Sequence, residues 1–296
     1  MTLFHQCIPC IMKQIQSLIE ILGLPPGEAM AVMESGMRMM LDRGDSITTQ
    51  HILRQLYDHI HGTYFPNLDV FDPFRELKRD ANLRVSVILP SFEKVVAGAD
   101  DPFRMAVRGA AGGNIIDYGA IPQGKVSIET EVARIPQLRF AVDRVEELRS
   151  RVGGSRTILL IGDNAGEILF DALLVQEIQR LNPAAELYIT LRHAPIINDA
   201  TLADASFLDL HPGVRVISSG SIYPGTILAE TTPEFRQLFG NADMIIAKGQ
   251  GNYETLLHEQ HPGLFFLLRA KCSPVAQSLG VSPGDLVVTR SPELPG

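Results

Sequence analysis

The sequence predicts an α/β fold, with a helical N-terminal subdomain packed on a three-layer α/β/α domain whose sheet is mainly parallel. Three observations predict it. Residues 1–100 carry apolar side chains at helical spacing, with no strand pattern among them. From Thr157 onward, short apolar runs alternate with helical patterns, as crossover connections between parallel strands require. The run at 157–161 stops in Gly162-Asp163-Asn164 and turns directly into a helix pattern. That places polar side chains at the carboxyl end of a strand, where open α/β sheets bind ligands.

The first helix is expected over 8–22, where Ile8, Ile11, Ile15, Leu18 and Leu22 share a face. Gly23 and Pro25-Pro26 end it and start a second, with a stripe of Met30, Met33, Met37, Met40 and Leu41 read as adaptable core. Ile52, Leu53, Leu56 and Ile60 mark a third, with Gly62 as its stop. Asp72-Pro73 and Asp101-Pro102 each read as an N-cap followed by proline in the first turn. The domain division is set at 1–100 and 101–296. Residues 111–119 form a glycine-punctuated loop carrying Asn114 and Asp117. A helix is expected over about 129–149, through Val132, Ile135, Leu138, Val142, Val145 and Leu148. Strands are expected at 157–161, 187–191, 214–218, 244–247, 264–268 and 286–289.

Composition narrows the class. A formal net charge of -8 leaves no broad basic field for nucleic acid. No apolar run approaches the roughly 20 residues that span a bilayer, and no signal peptide is read at the N-terminus. Three cysteines are too few for a disulfide scaffold, so a cytoplasmic location is expected. The sequence is silent on oligomeric state.

The polar residues without an obvious structural task follow the strands. Asp163-Asn164 follow the first; an Asp carboxylate beside an Asn carbonyl suits a hard divalent cation, while the plainer alternative is a turn in which one of them caps the helix. Arg192-His193 and Asn198-Asp199 follow the second. Lys248-Gly249-Gln250-Gly251-Asn252 follow the fourth. There, glycines let the backbone approach a ligand and the lysine offers a charge for phosphate. A tight turn with a solvated lysine is the alternative. Neither a Walker A loop nor a dinucleotide fingerprint is present.

Residues 162–171 (Gly-Asp-Asn-Ala-Gly-Glu-Ile-Leu-Phe-Asp), 248–254 (Lys-Gly-Gln-Gly-Asn-Tyr-Glu), 113–117 (Gly-Asn-Ile-Ile-Asp) and Asn198-Asp199 together resemble the damage-control phosphatases, long called domain of unknown function eighty-nine. Cys7-x-x-Cys10 and Lys271-Cys272 resemble its prokaryotic, cysteine-containing branch. The resemblance implies a divalent-metal-dependent phosphatase acting on a small phosphorylated metabolite: a sugar phosphate, a nucleotide or a damaged cofactor precursor. It implies Asp163, Asn164 and Asp199 as metal ligands, with Asp204 a nearby competitor for the third place. It implies Lys248 at the substrate phosphate, with Asn114, Gly249 and Asn252 around it. Asp117 or Glu167 would carry the proton. Mn, Mg, Co and Ni all suit oxygen ligands. Cys7, Cys10 and Cys272 are a possible second metal site, for zinc or iron. Two other functions compete: a carboxyl methyltransferase, and a non-catalytic metal-dependent phospholigand-binding protein. The methyltransferase ranks lower, because the first strand ends in Asp-Asn rather than in a glycine-rich loop.

Overall fold

The computed structural model describes residues 1, 3–42, 44, 47–113 and 128–291. Helices α1 (Cys7–Leu22), α2 (Pro26–Leu41) and α3 (Thr49–Tyr64) open the chain. Gly23 caps α1 at φ 61°, and Pro26 sits in the first turn of α2, both as expected. Ile11, Ile15, Leu18, Val32, Met40, Ile52, Leu56 and Ile60 form their common core. Two expectations are corrected here. The methionine stripe is only partly the buried face of α2: Met40 is buried and Met33 packs against the core, whereas Met30, Met37 and Leu41 are exposed, and Val32 and Gly36 complete the core side. Gly36 takes that place because Ile15 packs onto its bare Cα. Gly62 does not stop α3, which runs on to Tyr64 and closes on Phe65.

Helices α4 (Arg75–Ala97) and α5 (Pro102–Gly112) follow. Asp101 caps α5 by accepting from Arg104 N–H at 2.9 Å. Val85, Phe92 and Val96 of α4 point into the core of the sheet domain. Through α4, therefore, the helical region and the sheet share apolar packing. The long helix expected over 129–149 is not formed. Instead α6 (Ile128–Arg134) gives way to a 3-10 turn containing Pro136, then to strand β1 (Phe140–Asp143) and helix α7 (Val145–Gly154). Proline lacks the N–H that an interior helical turn needs, so it cuts the pattern that spacing alone predicts.

The remaining strands are β2 (Thr157–Ile161), β3 (Glu186–Leu191), β4 (Val214–Ser218), β5 (Met244–Lys248), β6 (Leu264–Arg269) and β7 (Leu286–Arg290), each within one residue of expectation at either end. Helices α8 (Glu167–Leu181), α9 (Pro233–Asn241), α10 (Gly249–Leu256) and α11 (Ser273–Leu279) lie between them. The sheet order is β1-β7-β6-β5-β2-β3-β4, parallel except for the β6–β7 pair. Alternate side chains of the strands feed two cores. Ile158, Leu160, Met244, Ile246, Phe265 and Leu267 pack under α4, α5, α7 and α8. Leu159, Ile161, Ile245, Ala247, Phe266 and Leu268 pack under α9, α10 and α11. Both faces are covered, which is why the central strands read as unbroken apolar runs.

The topology positions the site. After β2 the chain moves outward to β3 and β4; β5 then returns to the other side of β2. The β2–β5 edge is the switch point at which α/β sheets open a crevice beyond the strand ends. Asp163 follows β2 there, Lys248 ends β5 and Gly249 opens α10. Among the described residues no helix is long and apolar enough to cross a membrane.

Candidate metal and phosphate site at the switch point

Asp163-Asn164-Ala165 and Asn198-Asp199-Ala200 run antiparallel beyond the sheet. Ala165 N–H donates to Asn198 O at 3.0 Å, and Ala200 N–H donates to Asp163 O at 2.8 Å, which sets Asn164 opposite Asp199. Both carboxylates and the amide are buried, at 6%, 6% and 2% exposure for Asp163, Asn164 and Asp199. Asn164 Nδ2 donates to Asp163 Oδ2 at 3.0 Å and reaches Glu167 Oε2 at 3.4 Å, which leaves its carbonyl oxygen for other use. Burial, and then the charges of Asp199 and Glu167, push the Asp163 carboxyl well above the usual range; Arg192 and Lys271 oppose this. Burial also raises Asp199, against Arg192, Lys271 and Lys78. A site this rich in crowded buried oxygen calls for another cation. The donor set is two carboxylates and one amide. Among the described residues no three His, Cys, Asp or Glu side chains are grouped to hold a metal. Two carboxylates with an amide therefore fit an ion that keeps several of its own waters.

Asp204 does not compete for this place. Its Oδ2 accepts from Thr201 N–H at 2.8 Å and its Oδ1 from Asn82 Nδ2 at 2.8 Å, so it caps a turn. Asn82, wholly buried on α4, also accepts from Gly166 N–H at 2.6 Å and so ties the start of α8 to the helical region. Tyr57 of α3 accepts from Ile197 N–H at 2.9 Å. Ile197 has φ 39°, which a β-branched residue adopts only under constraint, and it lies two residues before Asp199. The N-terminal helices thus brace the loop that presents Asp199.

Gly249 brings the second side of the crevice close. Its φ is 78°, and a Cβ there would overlap Asp163 Oδ2 and lie 2.9 Å from Asp163 Cβ. Only glycine permits this approach. The first N–H groups of α10 consequently start beside the Asp163 carboxylate.

Two residues expected at substrate are committed elsewhere. Lys248 is fully buried; its ammonium donates to Glu167 Oε1 at 2.7 Å and Ala110 O at 2.6 Å, and it forms an ion pair with Asp171 Oδ1 at 2.7 Å. Burial opposes its charge, yet Asp171 and Glu167 outweigh that and raise its pKa. Burial likewise pushes Asp171 up to about 7. Lys248 therefore does not offer its ammonium to an incoming phosphate; it neutralises two buried carboxylates. Asn252 is also wholly buried. Its Nδ2 donates to Gly162 O at 3.1 Å and Lys248 O at 2.6 Å, while its Oδ1 accepts from Arg192 at 3.1 Å and Thr226 at 2.9 Å. It clasps the ends of β2 and β5 together and has no capacity left for substrate. Asn114 and Asp117 lie outside the described residues.

Among the described residues no three Cys, His, Asp or Glu side chains are grouped to hold a metal, although Cys7 lies close enough to Cys10 and Cys272 to bear on both thiols. Cys10 is exposed, Cys7 and Cys272 are half-buried, and all three are free. Gln14 Nε2 approaches Cys10 Sγ at 3.8 Å, and Gln250 Nε2 approaches Cys272 Sγ at 3.4 Å. Burial raises the Cys272 thiol, and the nearby Glu254 and Cys7 add to this.

Two residues that follow strands in the sequence acquire a role only in the fold. Arg192, at the end of β3, is 1% exposed and lies between Asp163 and Asp199. Lys271, exposed just beyond β6, places positive charge where both carboxylates feel it. The available signal for Arg192 was a charged residue continuing directly from a strand with no other polar interior position but Thr190.

Residues 3–287 match the damage-control phosphatase ARMT1-like domain. The chain belongs to that family. A damage-control phosphatase of Pyrococcus horikoshii is 33% identical, with 97% of each chain covered. One from Archaeoglobus fulgidus is 36% identical, over 82% of this chain and 84% of that one. An uncharacterised protein of Methanocaldococcus jannaschii is 31% identical over 96% and 94%. A crystal structure of a Pyrococcus horikoshii protein of the family, under its name DUF89, superposes with a TM-score of 0.85 at 32% identity, covering 99% of this chain and all of the other. The family resemblance in the motifs and the expected α/β architecture are both confirmed.

Proposed function

We propose that this damage-control phosphatase family member is a divalent-metal-dependent phosphatase that hydrolyses phosphomonoesters of small metabolites. The candidates are a sugar phosphate, a nucleotide or a damaged cofactor precursor. The observation that carries the reading is the pairing of Asp163-Asn164 with Asp199 at the switch point, in contact range of Gly249. Asp163, Asn164 and Asp199 would hold Mn, Mg, Co or Ni. Such an ion supplies charge neutralisation for phosphoryl oxygens and orients the nucleophile.

The chain's own residues do the rest. The opening N–H groups of α10, at Gly249, Gln250 and Gly251, bind phosphoryl oxygens, and the helix dipole favours the anion. Lys271 adds positive charge at the mouth and offsets the charge that builds on the phosphoryl group. Lys248 acts indirectly: it fixes Glu167, whose Oε2 lies 3.4 Å from Asn164 Nδ2, as the carboxylate that moves a proton. The buried walls exclude bulk water from these charges and so strengthen their action.

The test is phosphate release from a panel of sugar phosphates and nucleotides, by chelator-treated protein and after adding back Mn or Mg. The reading requires release that returns with the cation and is lost in Asp163→Ala. Tight binding of a phosphorylated ligand without release would instead make the protein a sensor.

A further inference from the structure

Arg192 is the buried group that the chemistry above leaves without a task. It is among the largest fully buried side chains of the protein. Its guanidinium makes three directed bonds: Nε donates to Asp199 Oδ2 at 2.7 Å, Nη1 to Thr226 Oγ1 at 3.1 Å, and Nη2 to Asn252 Oδ1 at 3.1 Å. Nη2 also lies 3.6 Å from Asp163 Oδ1. Thr226 Oγ1 donates in turn to Asn252 Oδ1 at 2.9 Å.

These bonds join four separate segments. Arg192 directly follows β3, Asp199 sits on the loop beyond it, Thr226 lies beyond β4, and Asn252 lies on α10, the helix that begins at Gly249. One planar fork therefore references Asp199 to both sides of the switch point. The bond to Asp199 uses Oδ2; no hydrogen bond to its Oδ1 is found among the described residues. A positive group set this close to two proposed metal ligands would repel a cation if charge were its only contribution. Its geometry answers a different need, because two carboxylates from different loops must be held at fixed separation before an ion arrives.

We propose that Arg192 is a positioning residue for the cation site: it fixes Asp199 relative to Asp163 and α10, so that the three oxygen donors are set in place before the ion binds. This rests on the reading of Asp163, Asn164 and Asp199 as the cation site. Lysine cannot take its place, since an ammonium keeps the charge but cannot span Asp199, Thr226 and Asn252 in one plane.

The experiment is a titration of purified, chelator-treated full-length protein with Mn2+, reading free Mn2+ by electron paramagnetic resonance, with circular dichroism confirming that each variant is folded. Wild type, Arg192→Lys, Arg192→Gln and Thr226→Val are compared. Orientation of ligands by such supporting bonds is worth roughly 10–100-fold in metal affinity. Arg192→Lys and Arg192→Gln should each weaken Mn2+ binding by at least about tenfold. Thr226→Val removes one anchor of the fork and keeps the arginine, so it should shift affinity in the same direction by roughly threefold. It also keeps the test decisive should both arginine variants fail to fold. A purely structural role would lower the melting temperature and leave Mn2+ affinity of the folded variants unchanged, which would overturn the proposal. Tighter binding by Arg192→Gln would overturn it too, showing the arginine to be only a competing charge. Wild-type protein that binds no Mn2+ would refute the cation site itself, and the proposal with it; normal wild-type binding with unaltered variants refutes the proposal alone.

Discussion

Gly249→Ala adds one methyl group at the closest approach between the two sides of the crevice. The added Cβ overlaps Asp163 Oδ2. The carboxylate cannot swing away freely, because it is buried, accepts from Asn164 Nδ2 at 3.0 Å and faces Arg192. The backbone cannot relax freely either, since φ 78° is left-handed and costs an L-residue about 1–2 kcal/mol. Forcing a methyl into packed surroundings adds about 1–3 kcal/mol. The sum, about 2–5 kcal/mol, corresponds to a fall in Tm of roughly 4–20 °C at ~2–4 °C per kcal/mol. Differential scanning calorimetry of metal-free protein reads this directly. Gly240→Ala is the control, because a Cβ there meets nothing within 4 Å. Displacement of Asp163 should also cost phosphatase activity. Unchanged Tm and unchanged activity in Gly249→Ala would refute the contact between α10 and Asp163.

Other expectations follow from the same geometry. Lys248→Ala leaves Asp171 and Glu167 buried without their cation, so it should destabilise the fold by about 3–5 kcal/mol in chemical denaturation, where a phosphate-binding lysine would change kcat/KM alone. Asp171, raised to about 7 by burial from an ordinary 3.8, holds a proton in the folded state between about pH 4 and 7 that the unfolded chain has lost. Its contribution to stability is therefore present below about pH 4 and is lost as pH rises to about 7, and Asp171→Asn should flatten that part of the stability–pH curve. Asp199→Ala should abolish activity, whereas Asp204→Ala should lower Tm and leave kcat within several-fold, as assays at a temperature where both are folded will show. Tyr57→Phe removes the acceptor for Ile197 N–H and should cost about 1–3 kcal/mol in urea denaturation.

Much of this was legible in the chain because strands buried on both faces announce themselves as apolar runs. β2 through β7 fell where such runs fall, and the Gly-Asp-Asn after β2 marked the crevice. What failed has physical causes. Helical spacing over 129–149 was real as a pattern, yet Pro136 broke it and β1 took up its middle. Lys248 read as a phosphate ligand because a lysine beside glycines offers no sign of Asp171 waiting beneath it; that pairing exists only once α8 packs on the sheet. Asn252 read the same way and proved to be a clasp. Arg192 carries no such sign in the chain, since its partners Asp199, Thr226 and Asn252 come from three segments, two of them 34 and 60 residues away. Residue type locates a site, whereas role depends on which neighbours the fold supplies.

The central claim is that one divalent cation is held where β2 and β5 part. Diffraction from crystals grown with Mn2+, collected to record anomalous signal, tests it most directly. The account predicts a single strong peak about 2.0–2.4 Å from side-chain oxygens of Asp163, Asn164 and Asp199, with Lys248 still paired to Glu167 and Asp171. A peak elsewhere with these three side chains unligated, or none at all at saturating Mn2+, would contradict it.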